Sequence, residues 1–341
     1  MTEPVAAVLA IDGGNSKTDV LLVDADGTIL ASLRGPGASP QAVGLEASMR
    51  AFDDMVRRTA RDARLPPGKP LARHTAAYLA GADLPREEEM LQRAVAEQGW
   101  SHSTVVGNDT FAVLRAGTPD GVGVAVVCGA GINCVGVAPD GQISRFPSVG
   151  RISGDWGAGE FLATEMIWWA MRAADGRGPD TALLPAVLDH FRAASAPELV
   201  ERLHFGEVPP DHLGALTPIL FQVAEGSDEV ALRLVERLAE EVALLATVSL
   251  RRLDLLTEAV PVVLGGGVAV GAGPLLWERV RQLCTTAAPR CEVRVVDVPP
   301  VVGAALYGLD AIGAEPAAEQ RLRSAGRALL GGIAERMDDP R

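Results

Sequence analysis

A strand-and-turn pattern that occurs twice constrains the fold of this sequence more than any other feature. In each copy an apolar strand runs into a glycine-rich hairpin, a second strand follows, and an Asp-Gly turn leads to a third strand. The first copy occupies 8–29 and has its turn at Asp26-Gly27, and the second occupies 122–145 and has its turn at Asp140-Gly141. The repeat predicts an internal duplication of a βββα unit.

Helices and strands alternate between and after the two copies. Apolar spacing predicts a first strand over 5–11, a helix over 43–63, a strand over 76–80, a helix over 86–98 and a strand over 104–106. The stretch 157–252 is mostly helical, with helices predicted over 160–174, 181–194, 211–225 and 229–253, and is interpreted as an insertion into the second unit. A strand over 260–264, a helix over 302–312 and an amphipathic helix over 315–337 follow. This order is typical of an α/β layered fold.

Composition excludes several classes of partner. The 341 residues carry 31 Lys+Arg against 44 Asp+Glu, a net charge of −13, and contain no basic run, so binding to nucleic acid or an anionic membrane is not expected. No apolar stretch is long enough to cross a bilayer. The four cysteines and five histidines lack CxxC and HxxxH spacing, which argues against zinc and a disulfide framework and favours reduced thiols in a cytoplasm.

The first hairpin loop has the composition of a phosphate-binding site. Two successive glycines let backbone N–H groups approach an anion, hydroxyls and a lysine add donors and positive charge, and the carboxylate at the strand end suits a hydrated magnesium ion. The residues concerned are Asp12, Gly13, Gly14, Asn15, Ser16, Lys17 and Thr18. Taken alone, the loop is equally well a hairpin turn with solvated polar residues.

Two further glycine segments favour the nucleotide-binding interpretation. In a duplicated fold the two hairpin loops are expected to face each other across a cleft and to hold a polyphosphate from both sides. The third segment ends a buried strand, where backbone can lie against a base or ribose, although a tight strand-to-helix turn explains it as well. These segments comprise Gly129, Ala130, Gly131, Ile132 and Asn133, and Gly265, Gly266, Gly267 and Val268.

Five segments in this order resemble the BadF/BadG/BcrA/BcrD ATPase family, a branch of the actin, hexokinase and Hsp70 superfamily, and within it the N-acetylglucosamine kinases. The segments read AIDGGNSKTDVLLVDADG, VVGNDTFAVLRAG, VVCGAGINCVGVAPDG, VGRISGDWGAGEF and VVLGGGVAVG. The resemblance covers essentially the whole chain. It implies a duplicated actin-like (ribonuclease H-like) α/β fold with two domains around a nucleotide cleft, here 1–117 and 118–314, with the helical insertion in the second domain and helix 315–337 rejoining the first.

The same resemblance implies an ATP- and Mg²⁺-dependent kinase acting on the 6-hydroxyl of N-acetylglucosamine. Asp12 would hold the metal, the loop after it would bind phosphate together with 129–133, and 265–268 would face the adenosine. The family often reads Gly-Thr-Gly-Ser-Asn in the second loop, whereas this chain has Ala130 and Ile132. Backbone N–H groups and Asn133 would therefore have to hold the phosphate there.

Asp109 is the residue expected to act as general base. Phosphoryl transfer to a sugar needs a carboxylate within hydrogen-bond reach of the attacking hydroxyl, and Asp109 follows a predicted strand in the Gly107-Asn108-Asp109 segment, where the resembled kinases have theirs. The alternative is that Asp109 only N-caps a helix over 110–116. Asn108 is expected to contact the substrate beside it.

Further contacts to the sugar are expected from two other segments. Asp155 matches a kinase Gly-Asp-Glu-Gly segment in which Trp156 replaces Glu, and it is the candidate for holding ring hydroxyls, with a helix cap as the alternative. Gly150 lies in the same motif. Ser39 and Gln41, after the third strand, are candidates for contacting the 2-substituent of the sugar.

Other functions remain open at the level of sequence. Glucosamine or another hexose could be the acceptor, with a homodimer as one assembly open to the chain. A second hypothesis from the same superfamily is an ATPase that activates a radical dehydratase or reductase through an iron–sulfur cluster, for which the cysteine positions offer no obvious place. A non-catalytic sugar sensor and a dinucleotide-dependent oxidoreductase are weaker, because no helix-turn-helix segment precedes the first strand and no GxGxxG with a helix follows it.

Overall fold

The two strand triplets lie in two separate five-stranded sheets in the computed structural model, which describes residues 6–68 and 70–337. The strands are β1 (Ala6–Gly13), β2 (Lys17–Val23), β3 (Ile29–Pro36), β4 (Ala72–Leu79), β5 (Ser101–Asn108), β6 (Gly123–Cys128), β7 (Ile132–Val137), β8 (Ile143–Arg145), β9 (Pro261–Gly265) and β10 (Glu292–Val295). The sheet orders are β3-β2-β1-β4-β5 and β8-β7-β6-β9-β10. Because both sheets follow the same order, the predicted duplication is confirmed. The start of the first predicted strand, Val5, lies outside the described residues.

Helices fill the connections between these strands. They are α1 (Pro40–Val43), α2 (Leu45–Asp62), α3 (Pro85–Ala96), α4 (Asp109–Gly117), α5 (Gly159–Ala174), α6 (Leu183–Phe191), α7 (Ala196–His204), α8 (Leu216–Glu225), α9 (Glu229–Arg252), α10 (Gly267–Gly271), α11 (Pro274–Ala287), α12 (Pro300–Ala311) and α13 (Pro316–Met337). Two 3₁₀ turns occupy Gly150–Ser153 and Pro210–Ala215. No described helix is long and apolar enough to span a membrane.

The helical segments differ from prediction at particular residues. The helix predicted over 43–63 is divided at Gly44, whose φ of 81° ends α1 before α2 begins. The helix predicted over 181–194 ends at Phe191, because Arg192 takes a left-handed φ of 50°, and α7 follows where no helix was predicted. Strand β4 begins at Ala72, four residues before the predicted start.

Contacts divide the chain into two compact units. Unit 1 takes in the described residues of 6–125, 137–147 and 296–337, and unit 2 takes in Val126–Gly136 and Ser148–Val295. Unit 1 therefore includes α12 as well as α13, whereas the sequence analysis placed the helix over 302–312 in the second domain.

Strand β1 forms the centre of unit 1 and is buried along its whole length. Its side chains alternate between two cores, as the period of a strand requires. Leu9 and Ile11 pack with Phe52 of α2, whereas Val8 and Ala10 pack with the apolar face of α12. Strand β2 runs antiparallel to β1, and β4 and β5 run parallel to it. The parallel strands bring their carboxyl ends to one edge of the sheet.

A buried arginine connects α4 to the two C-terminal helices within unit 1. The guanidinium of Arg115 donates to both carboxylate oxygens of Asp310 at 3.0 and 3.2 Å and to both of Glu319 at 2.9 and 3.0 Å. Arg323 of α13 donates to the carbonyl oxygens of Arg115 at 2.8 Å and Ala116 at 2.6 Å. These paired, charge-assisted hydrogen bonds fix the C-terminal helices to the unit that begins the chain.

Helices α4 and α12 approach closely enough for backbone contact. A Cβ atom added at Gly303 would lie 1.9 Å from the carbonyl oxygen of Ala112, closer than any real contact allows. We expect Gly303→Ala to lower the free energy of unfolding by ~2–3 kcal/mol, because the two backbones must separate. Urea denaturation followed by circular dichroism measures the change.

Gly214→Ala is the matched control for this substitution. Gly214 is exposed, and an added Cβ would have no neighbour within 4 Å. The control is expected to be neutral or slightly stabilising. Equal effects of the two substitutions would contradict the close helix crossing.

Candidate active site

The first glycine loop connects β1 and β2 through a tight turn. The N–H of Gly14 donates to the carbonyl of Lys17 at 2.9 Å, and the N–H of Ala80 donates to the carbonyl of Gly13 at 2.8 Å. A Cβ at Gly37 would lie 1.8 Å from the carbonyl oxygen of Asn15, so the loop and the segment after β3 are in backbone contact. Asn15, Ser16 and Lys17 are exposed and available to a ligand.

Two hydroxyls beside this loop have different environments. Ser39 is fully buried, donates to Oδ1 of Asn15 and accepts from the N–H of Ala42 at 3.3 Å. Ser39 therefore supports the loop and caps α1, and its contact to the 2-substituent of the sugar stays a prediction. The hydroxyl of Thr18 is buried and has no hydrogen-bond partner among the described residues.

Asp12 lies at the end of β1, directly opposite Asp19 in the antiparallel register. Its side chain is nearly buried, and burial together with the charges of Asp19 and Asp109 raises its pKa to about 8, against the opposing effect of Lys17 and Arg34. Asp19 itself accepts two hydrogen bonds from Arg34, at 2.6 and 2.7 Å. The positive charge of Arg34 is thus largely committed to Asp19, and Asp12 lacks a cation of its own.

The environment of Asp12 fits a magnesium ion bound mainly by other ligands. Within the described ranges no three His, Cys, Asp or Glu side chains form a metal cluster. Mg²⁺ commonly takes one or two protein carboxylates and fills its remaining positions with water and substrate phosphates. A single buried carboxylate beside an exposed phosphate-type loop suits that mode of binding.

Asp109 is the first residue of α4, immediately after β5. The N-cap of the helix is Asn108, whose Oδ1 accepts the N–H of Thr110 at 3.1 Å, so the proposal that Asp109 serves as the cap is wrong. Asp109 is half-buried, and burial together with the charge of Asp83 raises its pKa to about 7, opposed by the backbone N–H groups of Thr110 and of Asp109 itself. A carboxylate with a pKa near neutrality is suited to accept a proton during a reaction.

Asp83, which was not predicted from the sequence, links two of the predicted substrate residues. Its Oδ1 accepts Nδ2 of Asn108 at 2.8 Å, and its Oδ2 accepts Nε2 of Gln41 at 3.1 Å. Burial raises the pKa of Asp83 to about 6, with opposing effects from the two amide donors and from Arg145. A signal was available: Asp83 follows β4 at the same sheet edge where Asn108 ends β5 and Asp109 follows it.

In unit 2 the second and third glycine segments are in backbone contact. A Cβ at Gly266, which has a φ of 87°, would lie 2.4 Å from the carbonyl oxygen of Cys128. The N–H of Gly129 donates to the carbonyl of Gly131 at 2.9 Å, and the carbonyl of Gly129 accepts from Gly159 at 2.8 Å. Ala130, Gly131 and Gly267 are exposed, whereas Ile132 is buried. The segment after β9 also continues into α10 from Gly267, where the sequence analysis placed a turn up to Val268.

The side chain of Asn133 in the second loop is held by two hydrogen bonds. Oδ1 of Asn133 accepts the N–H of Cys134 at 2.7 Å and the hydroxyl of Ser148 at 2.6 Å. The carbonyl of this amide is therefore used to shape the loop. Among the predicted phosphate contacts of this loop, the exposed backbone of 130–131 is the part most accessible to a ligand.

Asp155 closes the 3₁₀ turn before α5. Its Oδ2 accepts the N–H of Gly150 and the hydroxyl of Ser153, both at 2.8 Å. Since α5 begins at Gly159 after Ala158, Asp155 does not cap that helix. The N–H of Gly150 is committed to Asp155 and its carbonyl accepts the hydroxyl of Ser153 at 2.9 Å, so the polar backbone groups of Gly150 are occupied within the turn.

Comparisons with known proteins show the family of this chain. The model of the BadF/BadG/BcrA/BcrD ATPase family matches residues 9–308. The chain is 24% identical to an N-acetylmuramic acid/N-acetylglucosamine kinase of Clostridium acetobutylicum over 289 residues, covering 84% of this chain and 92% of that protein. It is 24% identical to an N-acetyl-D-glucosamine kinase of Dictyostelium discoideum over 311 residues, covering 89% of this chain and 97% of that protein.

A solved structure supports the fold assignment. The crystal structure of a Chromobacterium violaceum protein described as an N-acetylglucosamine kinase matches with a TM-score of 0.73 at 23% identity, over 90% of this chain and 99% of that one. The expected family resemblance and the duplicated two-domain α/β fold are both confirmed.

The raised pKa of Asp12 predicts that its substitution will stabilise the ligand-free protein while it abolishes activity. Folding favours the protonated carboxyl, so its contribution to the stability of the ligand-free protein is present at pH 4 and is lost as the pH rises through about 8. We expect Asp12→Asn to melt ~2–5 °C above the unsubstituted protein at pH 8, with a smaller difference at pH 5, while phosphotransfer is abolished. Scanning calorimetry at the two pH values measures the shift.

Asp19→Asn provides a control of opposite sign. Asp19 is paired with Arg34, and its neutralisation leaves a half-buried guanidinium without its carboxylate, so this variant is expected to melt below the unsubstituted protein at both pH values. A lower melting temperature for Asp12→Asn at pH 8 would indicate that Asp12 serves the fold.

Proposed function

Because the chain belongs to the BadF/BadG/BcrA/BcrD ATPase family, we propose that it is a sugar kinase that transfers the γ-phosphoryl group of ATP to the 6-hydroxyl of N-acetylglucosamine. The observation that carries this proposal is Asp109, a half-buried carboxylate with a pKa of about 7 at the carboxyl edge of the first sheet. Both relatives at 24% identity have N-acetylglucosamine in their names, which supports an amino sugar as acceptor.

In the proposed reaction Asp109 accepts the proton of the sugar 6-hydroxyl. As this O–H bond breaks, the oxygen forms a bond to the γ-phosphorus, the bond from phosphorus to the β–γ bridging oxygen breaks, and ADP leaves with that electron pair. Mg²⁺, held through Asp12, would neutralise charge on the phosphate oxygens. The exposed residues of the first loop, with Lys17 as the cation, would bind phosphate.

Unit 2 is proposed to contribute backbone contacts to the nucleotide. The exposed segment 130–131 would donate N–H groups to phosphate, and the turn at 265–268 would lie against the adenosine. The exposure of Gly267, where an added Cβ would have no neighbour within 4 Å, supports this role, because the backbone there is open to a ligand. Asp155 would contribute a carboxylate to the sugar from a turn whose geometry its own hydrogen bonds fix.

The alternative of an activator ATPase with a shared iron–sulfur cluster is less well supported. The thiols of Cys128, Cys134, Cys284 and Cys291 are all buried, and burial raises the pKa of each. A cluster shared between two subunits requires cysteines at a surface, and these four side chains are buried. An anaerobically purified sample without visible absorption of a cluster, together with ADP release on sugar addition, would favour the kinase.

Substitution of Asp109 tests the central role. We expect Asp109→Asn to lower kcat by ~10²–10⁴ while the KM for ATP and for sugar stays within a few-fold. In the unsubstituted enzyme kcat should rise with pH around 7, because the base must be ionised, and the variant should lose this rise. Steady-state kinetics from pH 5.5 to 9 measures both effects. A near-normal kcat combined with a lower melting temperature would show that Asp109 stabilises the fold and that another residue is the general base.

A panel of acceptors tests the substrate. ADP release is measured with N-acetylglucosamine, glucosamine, N-acetylmannosamine, N-acetylmuramate and glucose, and the product of the best acceptor is analysed by NMR for the position of the phosphate. We expect the highest kcat/KM with N-acetylglucosamine and phosphate on O6. A preference for glucose over all N-acetylated sugars would overturn the amino-sugar assignment.

A further inference from the structure

A hydrogen-bonded relay at the carboxyl edge of the first sheet joins an exposed side chain to the residue before the proposed base. The relay consists of Gln41, Asp83 and Asn108. Burial increases along it: Gln41 is exposed, Asp83 is half-buried and Asn108 is 1% exposed. Only the outer end of the relay is freely accessible to a ligand. Its inner end is covalently next to Asp109.

Asp83 can hold both amides because a carboxylate has only acceptor oxygens. Oδ1 accepts from Asn108 and Oδ2 accepts from Gln41, so each amide must turn its NH₂ group towards Asp83. Asn108 is then fixed at both ends, since its own Oδ1 accepts the N–H of Thr110. With Nε2 of Gln41 turned to Asp83, its carbonyl oxygen is directed away from the carboxylate.

The segment that carries Asp83 is itself held in place. The N–H groups of Asp83 and Leu84 donate to Oε2 of Glu87 at 3.1 and 2.9 Å. Arg145 donates to the carbonyl oxygens of Ala82 at 2.8 Å and Asp83 at 3.3 Å and forms an ion pair with Glu88 at 2.6 Å. The backbone that carries Asp83 is thus held by Glu87 and Arg145.

The side chain of Gln41 also lies against the backbone of Gly81. A Cβ added at Gly81, which has a φ of 83°, would lie 3.1–3.6 Å from the end of the Gln41 side chain. The absence of a side chain at Gly81 lets Gln41 lie across the turn and reach Asp83. Both the space and the hydrogen bond therefore restrict the orientation of this exposed amide.

We propose that Asp83 is a positioning residue for the sugar acceptor: it sets the orientation of the Gln41 amide so that its carbonyl oxygen accepts a hydrogen bond from the N–H of a 2-acetamido group, and it fixes Asn108 beside Asp109. This inference rests on the proposed sugar kinase activity and adds a determinant of acceptor specificity. A carbonyl acceptor at this point selects a donor group on the substrate, and a misoriented amide would present its NH₂ group instead.

The first test is Asp83→Asn, assayed at pH 8.5, where Asp109 is ionised irrespective of its neighbour. An asparagine has one acceptor and one donor end, so it can satisfy only one of the two amides, and the other must rotate. We expect the KM for N-acetylglucosamine to rise ~10–50-fold and the KM for ATP to stay within threefold. The preference for N-acetylglucosamine over glucose should fall by a similar factor.

A double variant that exchanges the donor and acceptor between residues 41 and 83 distinguishes a loss of amide orientation from a general loss of structure. In the double variant Asp83→Asn with Gln41→Glu, the NH₂ group of the new asparagine can donate to the new glutamate, whose second oxygen remains an acceptor for the substrate. The asparagine oxygen can still accept from Asn108. We expect the double variant to recover at least half of the lost preference on a logarithmic scale, whereas Gln41→Glu alone should be impaired because two carboxylates then face each other.

Glu87→Gln is the structural control. It weakens the turn that carries Asp83 without removing either amide hydrogen bond, so it should lower the melting temperature and leave the acceptor KM within twofold. An Asp83→Asn enzyme with unchanged acceptor KM, or with the KM for ATP and acceptor raised equally, would overturn the inference while the kinase assignment stands. Failure of the double variant to recover preference would also overturn it. An unsubstituted protein that phosphorylates no sugar would instead overturn the proposed function, and this inference with it.

Discussion

The complete burial of β1 is the constraint on which the rest of unit 1 depends. A strand covered on both faces needs partners on both edges and an apolar layer on each side, and β1 obtains these from β2 and β4 and from the cores around Phe52 and α12. Asp12 stands at its carboxyl end, so the first polar side chain of this strand enters an environment already poor in water. The parallel strands β4 and β5 bring Asp83 and Asp109 to the same sheet edge.

The electrostatic consequence is a shortage of positive charge at this edge. Burial, together with repulsion from neighbouring carboxylates, raises the pKa of Asp12, Asp83 and Asp109. The nearby guanidinium of Arg34 is paired with Asp19, and that of Arg145 is bound to backbone carbonyls and Glu88. Such an edge is unfavourable for the ligand-free fold and favourable for a cationic ligand or a proton acceptor. The same charges that reduce stability are those that suit phosphoryl transfer.

The sequence predicted those features that depend on local pattern. The duplicated strand triplet predicted two sheets of equal order, and the turn residues gave the positions of the three glycine segments. It could not predict which of Asn108 and Asp109 caps α4, because Asn and Asp are both good N-caps. The backbone conformation decides: Asn108 is extended, with φ −70° and ψ 144°, and the helix begins after it. The hydrogen bond from Ser39 to Asn15 was also beyond sequence reasoning, because it joins residues on different segments.

Long-range pairs were the least accessible to sequence reasoning. The position of Asp83 after β4 could be read from the sequence, but the hydrogen bonds that Gln41 and Asn108 donate to it from separate elements could not. The Arg115 pairs with Asp310 and Glu319 likewise join residues far apart in the chain, and they explain why α12 as well as α13 belongs to unit 1. Nothing in the local sequence around Arg115 distinguishes it from an exposed helical arginine.

The departures from the family motifs in unit 2 have a common physical basis in packing. Ile132 occupies a position where the family often has a hydroxyl, and its Cδ1 atom would lie 3.5 Å from a Cβ added at Gly157. Trp156, where the kinases have Glu, is buried, packs against Phe161 and carries the guanidinium of Arg237 over its ring at 4.1 Å. Ile132 and Trp156 are both buried, so each adds apolar burial to unit 2 where the resembled motif has a polar group. A serine at 132 alone would leave a cavity there. The phosphate contact proposed for this loop therefore falls to backbone N–H groups, which substitution of side chains leaves in place.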